Sequence, residues 1–499
     1  METKTTNYKS IFKATSIFGG VQVFNILIML IRGKALAILI GTAGMGLNGL
    51  FMSGLNLIKT VSSLGIAESA IRDLSKAHAA DNRELMARTT TIFNRWIWIT
   101  AALGVVLTIS LAPLLSQFSF SSKRHTVSYM LLSLTFIFAA LTGGVYALLR
   151  ATRQLKYLAQ ANVLGSVVGL MVALPIFYFY GIQGVIPAII ATSVATYVVS
   201  LAFRNKIKFE KVALTWSQTW NQGKPMVALG LSLTVISLLT AAVTFVLNGY
   251  ISKTGSLHDL GLYNAGLAIV DGYVGMVFTT MAADYFPRLA GVIGDEAKWK
   301  QLVNEQAELL LIILSMVLVL LISTTPLLIG ILLSKEFLEA KEFVSWAVLS
   351  IPIKGLVWVL GFIILAKGDN KLFLTVEVIA NLIVLGLNIT FYKYLGLAGL
   401  GMSMLASYFI SIVFMLTILK SRYNFGFAQE VYRLLFVALL ALSLCLASIK
   451  ILGYPNAYIA QAVIVILTMI YSLSALNKRM NLKEVVSNIK AKISKRSGN

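Results

Sequence analysis

The chain has 499 residues, a formal net charge of +22 and a mean hydropathy of +0.83, with 58% hydrophobic and only 12% charged residues. A soluble chain carries roughly 25% charged residues, so the soluble classes are excluded, nucleic-acid binders among them, and the basic excess needs a membrane explanation. Alternation over about 10 residues, the mark of an outer-membrane barrel, is not the dominant pattern. Apolar runs long enough to cross a bilayer as helices follow one another instead.

Met1 to Lys13 is polar and basic, and the run after it is long enough to span, so no cleavable signal is expected. Six spans follow at 12–40, 46–71, 95–115, 127–149, 158–180 and 183–203. A second six lie at 226–250, 261–286, 308–333, 343–366, 372–394 and 398–419, and two more at 434–450 and 456–476. The expected fold class is all-α: a polytopic membrane protein of 14 transmembrane helices, two parallel six-helix repeats around a central cavity plus two C-terminal helices. The corresponding divisions are an N-terminal six-helix half (1–203), a cytoplasmic interfacial linker (204–225) and a C-terminal six-helix half (226–420). Two additional helices (421–477) and a basic amphipathic cytoplasmic tail (478–499) complete the chain. Trp216 and Trp220 among basic residues suit an interfacial linker helix. In the tail, Leu482, Val485, Val486, Ile489 and Ile493 share one helical face, fit for an anionic lipid surface if the tail is not simply solvated.

An even number of spans puts both termini on one side. With the N-terminus inside, 31 of the 42 Lys and Arg lie on the cytoplasmic side, which satisfies the positive-inside rule. Cys445 is alone in an apolar run, so neither a disulfide nor a Cys metal site is expected. His78, His125 and His258 are scattered over loops and form no ligand cluster.

The chain repeats itself after 216 residues. Asn48, Ser63, Glu68 and Arg72 recur as Asn264, Thr279, Asp284 and Arg288, and Phe209 as Phe425. A slip of one residue aligns Gly181 and Gly184 with Gly396 and Gly399. Repeats of six spans keep the same orientation, and duplicated bundles place a solute pathway between similar halves.

Charges in hydrocarbon are costly, so each marks a candidate function. In span two, Asn48, Asn56, Lys59 and Ser63 fall within an arc of about 80° at a helical 100° per residue. Asn264, Asp271, Gly275 and Thr279 repeat that stripe in span eight. The stripes suit either a wet central cavity or polar contacts between packed helices. Arg32 and Lys34 lie near the outer end of span one, where snorkelling to headgroups competes with a cavity role. Lys59 sits mid-span, where snorkelling is difficult. Lys354, beside Pro352, either joins a cationic site or pairs with Asp271 or Glu377. Asp271 is the leading ion-coupling candidate; Glu377 is the second, close enough to the cytoplasmic end for surface pairing. Glu68/Arg72 and Asp284/Arg288 are acid–base pairs at i, i+4, suited to a cytoplasmic gate or brace. The sequence has no phosphate loop and no HExxH, and no Ser/His/Asp set has a plausible common location, which disfavours an ATP-driven machine or an enzyme.

The segments GKALAILIGTAGMGLNGL (33–50) and GLYNAGLAIVDGYVGMVFTTMAADYFPRLAG (261–291), with the order of two six-helix halves and two further helices, resemble the multidrug/oligosaccharidyl-lipid/polysaccharide (MOP) exporter superfamily. Within it the chain is most similar to the Wzx-type O-antigen and polysaccharide flippases. The resemblance implies a V-shaped bundle opening alternately inward and outward, with no cofactor. The implied substrate is an undecaprenyl-pyrophosphate-linked oligosaccharide moved from the cytoplasmic to the periplasmic leaflet of a bacterial inner membrane. A polysaccharide polymerase and chain-length machinery are implied as partners besides membrane lipids. Arg32, Lys59 and Lys354, with Asn48, Asn56 and Asn264, would line the cavity for the pyrophosphate. Asp271 departs from a purely cationic lumen. A lipid II flippase, an ion-coupled multidrug or metabolite antiporter of the same superfamily, and a non-transporting scaffold are the rival readings.

Overall fold

The computed structural model of the chain describes residues 24, 27–80, 82–204, 212–453 and 455–479. The start of span one, most of the basic part of the linker with Phe209, and the tail from 480 onward lie outside them. Among the described residues all regular structure is helical. The first helix, α1, covers 27–39. Next come α2 (Gly41–Ser63), α3 (Ile66–Ala79), α4 (Arg83–Phe120), α5 (Thr126–Leu132), α6 (Leu134–Ala151), α7 (Leu155–Tyr180) and α8 (Val185–Arg204). The second half holds α9 (Trp216–Thr254), α10 (Leu257–Val292), α11 (Glu296–Leu332), α12 (Ala340–Ala366) and α13 (Asn370–Tyr423), followed by α14 (Gln429–Leu452) and α15 (Asn456–Arg479).

Nine of these helical stretches are long and apolar enough to cross a membrane, and eleven when α2 with α3 and the two parts of α10 are counted as bent spans. Two of the nine, Leu155–Arg204 with 50 residues and Asn370–Tyr423 with 54, are about twice what a bilayer needs. Each doubles back at a glycine. Gly181 has φ 54° and ψ −132°, and Gly396 has φ 58° and ψ −141°. A side chain is strained at such positive φ. A Cβ on Gly184 would press on the Ile176 carbonyl, and one on Gly399 on the Phe391 carbonyl, so the turns agree in packing too. Thr192 Oγ1 donates to the Gly169 carbonyl (3.4 Å) in the first hairpin, and Ser403 Oγ donates to Asn388 Oδ1 (2.7 Å) in the second. With these reversals the helices are compatible with fourteen passes.

The chain divides into two compact units: Met1–Ala265 with Ile331–Phe337, and Gly266–Gly330 with Leu338–Asn499. The first unit therefore runs past residue 203, because α9 packs on the N-terminal helices. The 204–225 segment differs from a separate interfacial helix: from Trp216 it is continuous with span seven. Thr215 and Gln218 form a reciprocal capping box that starts α9 there. Arg95 on α4 then ties this helix start down, donating to Thr219 Oγ1 (2.6 Å) and the Leu214 carbonyl (2.8 Å) while lying 5.0 Å over the Trp216 ring. Trp220 stacks on Trp96 at 5.2 Å. The two tryptophans are thus anchors between α4 and α9.

In the second unit α12 is buried almost throughout, which fits its lack of any polar stripe. The last helices are held by Arg479 of α15, which donates to the half-buried Glu308 carboxylate on α11. Cys445 is buried, as its apolar run implies.

Candidate functional site

The polar stripe of α2 is divided by its surroundings into a packed N-terminal part and an open C-terminal part. At its N-terminal end α2 crosses the first turns of α10. A Cβ on Gly46 would run into the Leu257 carbonyl, and one on Gly261 into the Thr42 carbonyl, so only glycines allow this approach. Thr42 Oγ1 and His258 Nδ1 share a hydrogen bond of 2.7 Å, and these two residues are themselves 216 positions apart. His258 stands in α10 rather than in a loop. Just inside the crossing, Asn264 lies over Gly49, where a Cβ would collide with Nδ2. Asn264 Nδ2 and Asn48 Oδ1 are buried without a hydrogen-bond partner. Asn48 and Asn264 thus sit at a packed helix contact.

Two turns further in, the surroundings open. Ser53 and Asn56 face Ser237, Thr240 and Thr244 of α9 across a groove of about 370 Å³. Lys59 lies three residues beyond Asn56, is exposed, and has no ion-pair partner among the described residues. One turn later Leu64 and Gly65 take left-handed conformations, α2 ends, and α3 leaves at 43°. The hydroxyls of α9 are absent from the sequence-derived site. Thr244 Oγ1 donates to the Thr240 carbonyl (2.9 Å), the usual way a threonine hides its polarity in an apolar helix. Only the spacing 237, 240, 244 signals a shared face.

The other basic candidates separate. Lys34 Nζ donates to the Leu333 carbonyl (2.6 Å), which ties α1 to the segment 331–337. Arg32 is half-buried and makes no hydrogen bond or ion pair among the described residues. In the second unit Lys354 Nζ lies 3.6 Å from Asp271 Oδ1 and 5.9 Å from the centre of the Tyr408 ring. The sequence left Lys354 open between an acid and a substrate; in the structure it is paired with Asp271. Each charge therefore moderates the other. A double-mutant cycle of Lys354→Met and Asp271→Asn, followed by thermal unfolding in detergent, should give a coupling of about 0.5–1 kcal/mol, the low end for contacting residues because Asp271 is 62% exposed. Additive losses would show that the pair contributes nothing.

Glu377 is half-buried in a small apolar cavity on α12 and α13, and its carboxylate has no partner among the described residues. Of the two expected acid–base braces, Asp284–Arg288 forms at 3.0 Å on the surface. The Glu68–Arg72 pair is corrected: Arg72 Nε bonds the adjacent Asp73 at 3.0 Å, leaving Glu68 exposed in the first turn of α3. Two acids compete for one guanidinium there, and the neighbouring one holds it. Among the described residues no group of three His, Cys, Asp or Glu could hold a metal ion.

Among the described residues the chain is a helical bundle with nine to eleven candidate membrane passes, two matching hairpins and a glycine crossing. Solved structures share this fold. The chain resembles the lipid II flippase MurJ in an inward closed conformation, with a TM-score of 0.69 at 13% identity over 94% of this chain and 99% of that one. It also resembles an inward-facing multidrug resistance MATE family transporter of the MOP superfamily, with a TM-score of 0.63 at 14% identity over 80% and 95%. Among curated relatives, the lipid III flippases of Escherichia coli strain K12 and Shigella flexneri are each 20% identical over 359 residues, 70% of this chain and 83% of theirs. Residues 35–342, more than half of the chain, match the polysaccharide biosynthesis protein family. The chain belongs to that family.

Proposed function

We propose that this protein is a flippase that moves an undecaprenyl-pyrophosphate-linked oligosaccharide, an O-antigen or related polysaccharide repeat unit, from the cytoplasmic to the periplasmic leaflet by alternating access. It would reside in the bacterial inner membrane with both termini cytoplasmic, delivering its substrate to a polysaccharide polymerase. The observation that carries this reading is Lys59: an exposed ammonium, unpaired among the described residues, one turn beyond Asn56, which itself lines a groove with Ser53, Ser237, Thr240 and Thr244. A pyrophosphate and several sugars are too polar for hydrocarbon, whereas a polyprenyl tail is at home in it. A lysine can meet the pyrophosphate, and serine, threonine and asparagine can exchange hydrogen bonds with sugar hydroxyls in place of water.

The lipid III and lipid II flippases among the relatives support a lipid-linked glycan as the substrate class. The antiporter alternative is disfavoured because Asp271, its leading coupling acid, is occupied by Lys354. The test is reconstitution into liposomes with a fluorescent polyprenyl-pyrophosphate trisaccharide in the inner leaflet. Time-dependent appearance of the glycan to an external lectin, beyond that in protein-free liposomes, is the expected result; equal rates would sink the reading.

A further inference from the structure

The cavity that holds Glu377 shares no lining residue with the groove at Asn56, and its chemistry is of a different kind. It measures about 190 Å³ and is walled by Trp358 and Phe362 of α12 and by Phe373 and Phe414 of α13, with Val357 and Met415 closing it. Trp358 and Phe362 meet edge to face at 4.9 Å, and Tyr285 braces both, at 6.0 and 5.5 Å. The aromatic wall is therefore a fixed surface. Glu377 is its one charged lining residue. Its backbone carbonyl accepts from Asn381 Nδ2 (2.9 Å), but its carboxylate has neither a hydrogen bond nor an ion pair among the described residues. Lys354 of α12 is paired with Asp271, and Lys367, just past that helix, donates to the Ile293 carbonyl (3.2 Å).

A lone carboxylate among aromatic rings selects its ligand. A metal ion needs several oxygen donors, and this cavity offers one carboxyl group. A sugar needs many hydrogen-bonding partners, and the walls have almost none. A monovalent cation on an apolar body satisfies both parts. Its charge meets Glu377 and the negative faces of the rings, while its hydrocarbon is removed from water by the walls.

We propose that this cavity is a binding site for an organic ammonium ion: a positively charged nitrogen carried on an apolar group. The nitrogen lies beside Glu377, and the body packs on Trp358 and Phe362. Two sources share this chemistry, a free amine and the headgroup of an ethanolamine phospholipid. The site stands independently of the substrate reading, since binding is measured with no glycolipid present.

The probe is radiolabelled benzyltrimethylammonium, bound to the purified full-length protein in detergent. Saturable binding of one cation per chain is expected, displaced by protonated alkylamines and not by uncharged analogues of the same shape. Glu377→Gln should weaken it at least tenfold and Trp358→Leu by a comparable factor, while Glu377→Asp retains most of it. Each variant is matched to wild type by its thermal unfolding midpoint. Competition by phosphatidylethanolamine micelles, but not by phosphatidylglycerol, assigns the site to the lipid headgroup; competition by neither assigns it to a free amine, and both uphold the proposal. No saturable binding by wild type, or unchanged affinity in Glu377→Gln, overturns it.

Discussion

Replacing Lys59 with alanine should slow flipping of a pyrophosphate-linked glycan by about ten- to a hundredfold, with the protein still folded. Lys59 is exposed on α2 and no acid neutralises it among the described residues, so removing it leaves no orphaned partner and costs little stability. Its loss is felt by the substrate instead. A hydrogen bond to a charged group contributes about 1.5–3 kcal/mol, and each 1.4 kcal/mol is about a factor of ten in an equilibrium constant. Lys59→Arg should keep much of the rate, because the charge and donors remain. Lys59→Glu should be worse than Lys59→Ala, because it opposes like charges. Rates read by external lectin capture, at matched protein incorporation, check the series. Equal rates in all four proteins would remove Lys59 from the pathway.

A bulky side chain at the crossing of α2 and α10 should act through the fold. Gly46→Leu and Gly261→Leu each place carbon atoms where a backbone carbonyl already lies, that of Leu257 in the first case and of Thr42 in the second. The main chains must separate, which breaks the Thr42–His258 hydrogen bond of 2.7 Å and exposes two half-buried asparagines. Overpacking of this kind costs about 1–3 kcal/mol, sometimes more. The thermal midpoint in detergent should fall clearly for both variants. Gly291→Leu is the control, since a Cβ there meets no heavy atom within 4 Å. Should Gly46→Leu melt with the control, the crossing is looser than described.

The sequence made the helices readable because hydrocarbon demands long apolar runs, and the repeat, after a slip of one residue, aligned Gly181 with Gly396, where the two hairpins turn. It also singled out Asn48, Asn56 and Lys59 on one face of span two. What it concealed has physical reasons. Ser237, Thr240 and Thr244 are acceptable anywhere in a membrane helix, so their convergence on Asn56 is visible only in three dimensions. Thr42 and His258 occupy equivalent places in the two repeats, yet their chemistry is unlike, and a comparison of residue types passes over them. Arg95 looks like an ordinary basic residue at a helix start, whereas its guanidinium fastens the beginning of α9. Spacing placed Arg72 one turn from Glu68, and the adjacent Asp73 took the bond instead.

The central claim is that Lys59 recognises the charge of the linking group. The direct measurement compares two substrates in the same liposomes: one trisaccharide joined to the polyprenyl chain by pyrophosphate, the other by an uncharged ether. Wild type should flip the pyrophosphate form at least tenfold faster. Lys59→Ala should lose that preference by slowing on the pyrophosphate form while handling the ether as wild type does. A wild type indifferent to the linkage, or a preference that survives Lys59→Ala, would contradict the account.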